Sequence, residues 1–199
     1  VDPEAMINEY GADAVRWFIL SDSPPEKDVQ WSDTGVASAN KFLQKIWNLN
    51  FLISIRKEIK ADKDMEKKFN LVIKSFVTKI DNSINNFRFN VAIAHFYEIY
   101  KIFREAVEKN ISNKVLTENI SVFMKLMIPF VPHLSYECLE LLKSKSVNNW
   151  PKVEGNLLEE IKLAIQINGK TRDIITVQKD LVEKDIDVII RKNSKAKKY

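Results

Sequence analysis

The sequence is poor in the residue types from which most active sites are built. Its 199 residues include one cysteine, two histidines and four glycines. A single cysteine excludes an intramolecular disulfide, so we expect a reduced, cytoplasmic protein in which Cys138 is a buried structural thiol. The four glycines lie apart from one another, so none belongs to a glycine-rich phosphate-binding loop.

Membrane segments and catalytic clusters are missing as well. No apolar run approaches the ~20 residues of a membrane helix, which predicts a soluble protein. His95 and His133 have no cysteine or paired acids nearby and therefore do not indicate a metal site. The clustered acids have lysines beside them, which is typical of solvated surface rather than of acid–base catalysis. The residues thus predict a binding protein without a catalytic site.

Helical signals begin at the first residues. Asp2 and Gly11 are the residue types that cap and stop a short helix. A second helix is expected to end at Ser23, because the Pro24-Pro25 pair that follows cannot continue it. The proline pair therefore predicts a rigid joint, although it also fits a plain helix end.

Four or five longer helices are expected after this joint. The first is capped by Ser32 or Asp33 and includes Trp47 in its apolar stripe. The strongest periodicity of the sequence follows, and its apolar positions are Met65, Phe69, Val72, Phe76, Ile80, Ile84 and Phe87. Further helices are expected from Asn90, over Ile120–Met127 and over His133–Leu142, with a bend between Pro129 and Pro132. Such helices bury their stripes against each other as an antiparallel bundle.

The apolar period changes after Trp150. Apolar residues alternate with others over residues 163–167, Asn168-Gly169 is a strong hairpin signal, and a second strand follows. Asp180 and Glu183 have capping-box spacing and predict one further helix. The fold class is therefore mainly α, a helical bundle followed by a small α+β unit with a β-hairpin.

One segment carries a family resemblance. The residues VDPEAMINEYGADAVRWFILSDSPPEKDVQWSD, and then GVASANKFLQKIWNL, resemble the part of bacterial leucyl-tRNA synthetases that follows their Lys-Met-Ser-Lys-Ser loop. FRFNVAIAHFYEIYK and FMKLMIPFVPHLSYECLELL are similar to helices of that family's anticodon-binding bundle, and AIQINGKTRDIITV to the start of its C-terminal domain. The chain also starts at Val1 without a signal-peptide pattern, so we expect a fragment.

The resemblance implies an organisation and a function. Residues 1–31 would form the catalytic-domain junction, 32–150 the anticodon-binding helical bundle, and 151–199 a partial C-terminal α+β domain with a basic tail. The intact ligase would attach leucine to its tRNA using ATP and Mg²⁺. This fragment would bind leucine tRNA as a monomer, without cofactor, DNA or membrane, and would lack the catalytic and editing sites.

Candidate tRNA-binding residues in the bundle are cationic. Lys41 and Lys45 fall on one predicted helix face, where a solvated surface is the alternative to phosphate contacts. Arg16 lies beside the joint, and the resemblance places this neighbourhood near the tRNA elbow, with an intramolecular salt bridge as the alternative. Arg88 lies at a helix junction, where it would face RNA or cap carbonyls of the junction.

Lys170 and Arg172 are the candidates in the hairpin. A tight turn would place both on one face near the tip, within reach of an RNA backbone, unless their stems cover neighbouring isoleucines. The resemblance favours RNA because the family's C-terminal domain approaches the outer corner of the tRNA. Two other interpretations stay open for the whole chain, a helical protein-interaction scaffold and the equivalent bundle of a class I synthetase for another amino acid.

Overall fold

The structure is a computed structural model that describes residues 2–153, 160–167, 170–178 and 183–193. The chain divides into two units, Val1–Val153 and Glu154–Tyr199. The helices of the first unit are α1 (Pro3–Tyr10), α2 (Ala12–Asp22), α3 (Asp33–Ile55), α4 (Lys63–Asn85), α5 (Phe89–Val107), α6 (Asn113–Met127) and α7 (Pro132–Leu141). None of the helices in these ranges is both long and apolar enough to cross a membrane.

The predicted caps of the first helices are confirmed. Asp2 accepts a hydrogen bond from the Glu4 amide at 3.0 Å, and Gly11 ends α1 with φ +86°, a value that favours glycine. Helix α2 ends at Asp22, and its C-cap Ser23 directly precedes the proline pair. Ser32 caps α3 by accepting from the Gly35 amide at 3.1 Å. Local sequence signals therefore account for the start of the bundle.

Helix α3 packs closely on α2. A Cβ at Gly35 would collide with the ring of Phe18, so glycine permits this approach of the two helices. The indole of Trp17 is fully buried, and its centroid lies 5.4 Å from that of Phe42 and 5.8 Å from that of Phe96. Burying each such ring stabilises the fold by roughly 1.5–3 kcal/mol. Helix α2 is thereby part of the same core as the bundle.

The predicted stripe of α4 is correct over most of its length. Phe69, Phe76 and Ile80 are buried, whereas Val72 is 39% exposed. Phe87 was expected to close the stripe, and this prediction is wrong, because the helix ends at Asn85 and leaves the Phe87 side chain 65% exposed. Trp47 of the α3 stripe is likewise 37% exposed.

The later helices agree with the expected order but not with every boundary. Helix α5 begins at Phe89 instead of Asn90. Helix α6 begins at Asn113, well before the expected Ile120, with Ser112 as its cap. The bend between α6 and α7 contains Pro129, as predicted, and α7 starts with Pro132 at its first position.

The second unit contains an antiparallel hairpin and a helix. Strand β1 (Glu160–Ile167) pairs with β2 (Lys170–Gln178), and α8 spans Glu183–Asn193. The register pairs Ile165 with Asp173 and Gln166 with Thr171, so a bulge interrupts β2 between these pairs. The predicted Asn168-Gly169 turn, Asp180 of the capping box and the end of the basic tail lie outside the described residues.

Candidate nucleic-acid interface

Arg16 is bound to the bundle. Its Nε donates to the carbonyl of Phe130 at 3.1 Å, and its Nη2 donates to the carbonyl of Pro129 at 2.6 Å. Both carbonyls belong to the bend between α6 and α7, where proline leaves the helical hydrogen-bond pattern incomplete. The side chain of Arg16 therefore forms intramolecular hydrogen bonds, and its partners are carbonyls rather than the acid of a salt bridge.

Asp13 makes a second connection from α2 to the bundle. Asp13 is 8% exposed, and its carboxylate accepts from the Leu134 amide at 2.7 Å. It also lies 3.0 Å from Nδ1 of His133. The carboxylate supplies the side-chain cap that the N-cap residue of α7, Val131, does not provide. Arg16 and Asp13 together connect α2 to the α6–α7 bend and to the start of α7.

Lys41, Lys45 and Asn48 lie along one exposed face of α3. Their spacings of four and three residues keep them on the same side of the helix. Within the described part of the chain, neither lysine forms a hydrogen bond or an ion pair. Exposure fits both the phosphate-binding face and the solvated surface, so phosphate binding by Lys41 and Lys45 stays a prediction.

A groove borders this face. It has a volume of about 420 Å³, and Asn48 and Trp47 of α3 line it together with Tyr10, Asn40 and Leu134. Asn side chains and half-exposed aromatic rings are groups that hydrogen-bond and stack with nucleotides. The groove therefore extends the cationic face with polar and aromatic surface.

Arg88 lies at the junction between α4 and α5. Its backbone precedes the first residue of α5, and its amide donates to the carbonyl of Ser83 at 2.8 Å. Its guanidinium is exposed and, among the described residues, has no hydrogen-bond or ion-pair partner. Of the two predicted roles, the capping of junction carbonyls by this side chain is thus not observed.

The opposite end of α4 is a closed polar network. Glu66, 5% exposed, accepts from the amide of Ser112 at 3.1 Å and also from its hydroxyl. The Ser112 hydroxyl holds the pKa of the Glu66 carboxyl below its ordinary value, with smaller help from the Ser112 amide and Lys63, while burial opposes the shift. This carboxylate stays ionised and ties α4 to the start of α6.

Two loops complete this network. Arg56 donates to the carbonyl of Ile111 at 3.0 Å, and Glu58 accepts from the amide of Asn113 at 2.9 Å. The amide of Asp62 donates to the carbonyl of Asn110 at 2.8 Å. The loop between α3 and α4 is therefore fixed to the loop between α5 and α6. The polar groups named here serve structure at this end.

The sequence prediction missed a row of lysines on α4. Lys67 and Lys74 lie seven residues apart on one face, and with Lys63 and Asn70 they border an open groove of about 410 Å³. Lys63 lies 3.2 Å from Glu66, but the other two lysines have no partner in the described residues. Their spacing of about two helical turns was the available signal for this cationic face.

In the hairpin, Lys170 is exposed and Arg172 is half-buried. Lys170, the first residue of β2, pairs with Ile167, the last residue of β1. Arg172 lies at the bulge, between the register pairs Gln166–Thr171 and Ile165–Asp173. Because a bulge interrupts the two-residue alternation, the shared face expected for Lys170 and Arg172 stays a prediction.

The environments of the cysteine and of His95 are those of residues that support the fold. Cys138 is fully buried, and burial raises the pKa of its thiol to about 12, which keeps it protonated. Nδ1 of His95 lies 3.6 Å from Glu98 on the same helix. No group of three metal-ligating side chains occurs in the ranges that the structure describes.

Comparison with known proteins defines the class of this chain. A family model described as the anticodon-binding domain of tRNA ligase matches residues 62–190. The match takes in most of the bundle, the hairpin and most of α8. The chain therefore belongs to the family of tRNA-ligase anticodon-binding domains.

The relatives with similar sequences define a narrower class than the family model, because they are leucine–tRNA ligases. The enzyme of Zymomonas mobilis is 35% identical over 186 residues, which cover 91% of this chain and 21% of the relative. That of Prochlorococcus marinus strain AS9601 is 34% identical over 206 residues, which cover all of this chain and 24% of the relative. The predicted resemblance to leucyl-tRNA synthetases is confirmed, and the chain spans between a fifth and a quarter of these relatives.

A solved structure is similar to the whole chain. It is the ternary complex of the Agrobacterium radiobacter K84 agnB2 LeuRS with tRNA and LeuAMS. The TM-score is 0.79 at 25% identity, and the alignment covers 100% of this chain and 27% of the other. The predicted fold class, a mainly helical bundle with a small sheet, is confirmed.

Proposed function

We propose that this chain is the tRNA-docking part of a leucine–tRNA ligase. The observation that carries the proposal is the match of the whole chain to leucine–tRNA ligases, one of them solved in complex with tRNA. The intact ligase would use ATP and Mg²⁺ to attach leucine to its tRNA. The part described here would contribute RNA binding and no catalytic or editing residue.

The proposed contacts are mainly electrostatic. Lys41 and Lys45 on α3, and Lys67 and Lys74 on α4, are exposed cations without described partners, so phosphates would be their ligands. Lys170 and Arg172 are proposed to reach an RNA backbone from the hairpin. Leucine tRNA is the proposed partner, with no role for DNA, and the protein would act as a cytoplasmic monomer.

Arg16 has a different proposed role in the same function. Its guanidinium donates to two carbonyls of the α6–α7 bend, so it would act by holding residues 1–31 against the bundle. In this organisation residues 1–31 are the junction with the catalytic domain, residues 32–150 the RNA-binding bundle and residues 151–199 part of a C-terminal domain. A fixed junction would keep the bound tRNA oriented toward the catalytic centre of the parent.

The test is equilibrium binding of the purified chain to leucine tRNA and to one unrelated tRNA over a salt series. We expect tighter binding of leucine tRNA and a steep decrease of affinity with salt. Lys41→Gln/Lys45→Gln should reduce affinity for both tRNAs and lower the salt slope by about 0.7–0.9 for each phosphate that is no longer neutralised. Absence of binding at low salt by the folded chain would contradict the proposal.

A protein-interaction role is the second candidate. It is favoured by the side chains of Trp47, Phe51 and Ile55, which follow one line along α3 and are 37%, 47% and 62% exposed. Exposed apolar residues at a spacing of four form a helix face that a protein can cover. Failure to bind any tRNA would favour this role.

A further inference from the structure

Phe87 has a backbone conformation that a bulky side chain rarely adopts. Its φ is +56°, in the left-handed region. The Phe87 amide donates to the carbonyl of Ile84 at 3.0 Å, and the Arg88 amide donates to the carbonyl of Ser83 at 2.8 Å. This hydrogen-bond pattern is a Schellman motif, in which the left-handed position is usually glycine or asparagine.

Burial of the ring does not offset this strain. The Phe87 side chain is 65% exposed, the most exposed of the large apolar side chains in the described residues. Its ring meets that of Phe89 edge to face at 5.6 Å, and Phe89 meets the buried ring of Phe130 at 6.1 Å. The Phe87 ring therefore packs, through Phe89, against the core on one side, while much of its surface faces solvent. Strained exposed residues of this kind mark functional positions.

The neighbouring residues fit RNA rather than another ligand. Residues 82–90, NSINNFRFN, contain four asparagines, one arginine and no acid. Asp81 precedes them, and its carboxylate already accepts from Nε1 of Trp150 at 2.8 Å and from the side-chain amide of Asn85 at 3.1 Å. An aromatic ring, a guanidinium without a partner among the described residues, and amides are the groups that stack on a base, contact a phosphate and hydrogen-bond base edges.

We propose that Phe87 is a stacking platform for an unpaired nucleobase of the bound tRNA, with Arg88 on a neighbouring phosphate. The inference rests on the proposed tRNA-docking function and adds a specific site to it. Stacking on an aromatic ring tolerates any base, so the site would recognise an unstacked nucleotide rather than a sequence. The left-handed backbone would keep the ring directed outward before RNA binds.

The decisive variant is Phe87→Gly, because it removes the ring and relieves the backbone strain together. We expect the midpoint temperature of unfolding to rise by about 2–4 °C. The fluorescence of the four tryptophans, which all lie in residues 1–153, reports this transition. Affinity for leucine tRNA should decrease by about 5- to 150-fold with an unchanged salt slope, because stacking involves no counterion release. Opposite signs for stability and affinity are not expected of a residue with only a structural role.

Three matched variants define the site. Phe87→Tyr keeps an aromatic face and should bind leucine tRNA within about twofold of the unsubstituted chain. Phe87→Leu keeps apolar surface without a ring and should lose affinity as Phe87→Gly does. Arg88→Gln should lower the salt slope by about 0.7–0.9, the change expected for one phosphate.

The outcomes separate this inference from the proposed function. If the unsubstituted chain binds leucine tRNA with a steep salt slope and Phe87→Gly binds equally well, the platform is refuted and the docking function stands. If Phe87→Leu retains full affinity, the contact is a general apolar one and stacking is refuted. If the folded unsubstituted chain binds no tRNA, the docking function itself fails.

Discussion

The two ends of α4 differ in how well their residues satisfy local structural rules. At the N-terminal end, Asp62 caps the helix with its side chain, and Glu66 accepts two hydrogen bonds from Ser112. At the C-terminal end, a phenylalanine occupies a glycine-type position and faces solvent beside an arginine without a described partner. Natural sequences depart from local rules mainly where function requires it. The hydrogen bonds of Asp62 and Glu66 at the first end therefore support the fold, and Phe87 and Arg88 at the second end are candidates for binding.

The largest stability effect is expected at the N-terminal end, from Ser112→Ala. This change removes the cap that accepts from the Val115 amide and one of the donors to the buried Glu66 carboxylate. We expect a loss of roughly 1–3 kcal/mol in the free energy of unfolding, measured by urea denaturation.

Ser121→Ala is the matched control. Ser121 is a buried helical serine of the same unit, but within the described ranges its hydroxyl donates to the carbonyl of Thr117 in its own helix and to no other group. Its replacement should change the free energy of unfolding by less than about 0.5 kcal/mol. Equal effects of the two substitutions would show that Ser112 has no special role.

The pH dependence of stability gives a second test of this end. Because the Glu66 pKa is lower in the folded chain than its ordinary value of 4.5, its contribution is present above that pH. The contribution is lost as the pH falls through the lowered pKa. Near pH 6, Glu66→Gln should therefore unfold at a lower midpoint urea concentration than the unsubstituted chain. The difference between the two midpoints should become smaller below pH 4.5.

Glu118→Gln is the control for this measurement, since Glu118 forms an exposed ion pair with Lys114. The midpoint urea concentrations of Glu118→Gln and the unsubstituted chain should differ little at every pH. If the midpoint difference between Glu66→Gln and the unsubstituted chain did not change with pH, the lowered pKa of Glu66 would be contradicted.

A smaller effect of opposite sign is expected at the C-terminal end. Phe87→Gly should stabilise the chain by roughly 1 kcal/mol, because glycine adopts the left-handed conformation without strain. Phe89→Gly, two residues away at the start of α5, should destabilise instead, since Phe89 packs against the core and occupies a helical position. Urea denaturation compares the two, and a destabilised Phe87→Gly would refute the strain.

The smallest effect is expected for Lys63→Ala. Lys63 pairs with Glu66, but its side chain is 88% exposed, so solvent screens the interaction. The free energy of unfolding should change by less than about 0.5 kcal/mol in the same urea measurement. A decrease as large as that of Ser112→Ala would mean that the ion pair, rather than the Ser112 hydrogen bonds, holds the Glu66 carboxylate.

The features predictable from sequence are those with local causes. Ser32 caps α3 through an amide three residues away, and the helix stop before Pro24-Pro25 follows from proline chemistry. Ser112 was missed as a cap although its capping partner, the Val115 amide, lies only three residues away. Its hydrogen bonds to Glu66 span 46 residues, so no local pattern indicates them. Phe87 was predicted to be buried because it lies three residues after Ile84, and periodicity does not reveal where a helix ends.

The candidate site was predictable in part for the same reason. The exposure of Lys41 and Lys45 follows from helical periodicity of α3. The carbonyl partners of Arg16 lie 113 and 114 residues away, so no local pattern indicates its intramolecular role. The lysines of α4 were overlooked although their spacing was visible, because the apolar stripe on the same helix dominates the pattern.

The most direct test of the difference between the two ends of α4 uses two variants, Ser112→Ala and Phe87→Gly. For each variant, both the free energy of unfolding and the affinity for leucine tRNA are measured. We expect Ser112→Ala to lower the free energy of unfolding and, under conditions where it is folded, to bind leucine tRNA normally. Phe87→Gly should raise the free energy of unfolding and weaken binding. Parallel changes of stability and affinity in both variants would contradict the assignment of Ser112 to the fold and of Phe87 to tRNA binding.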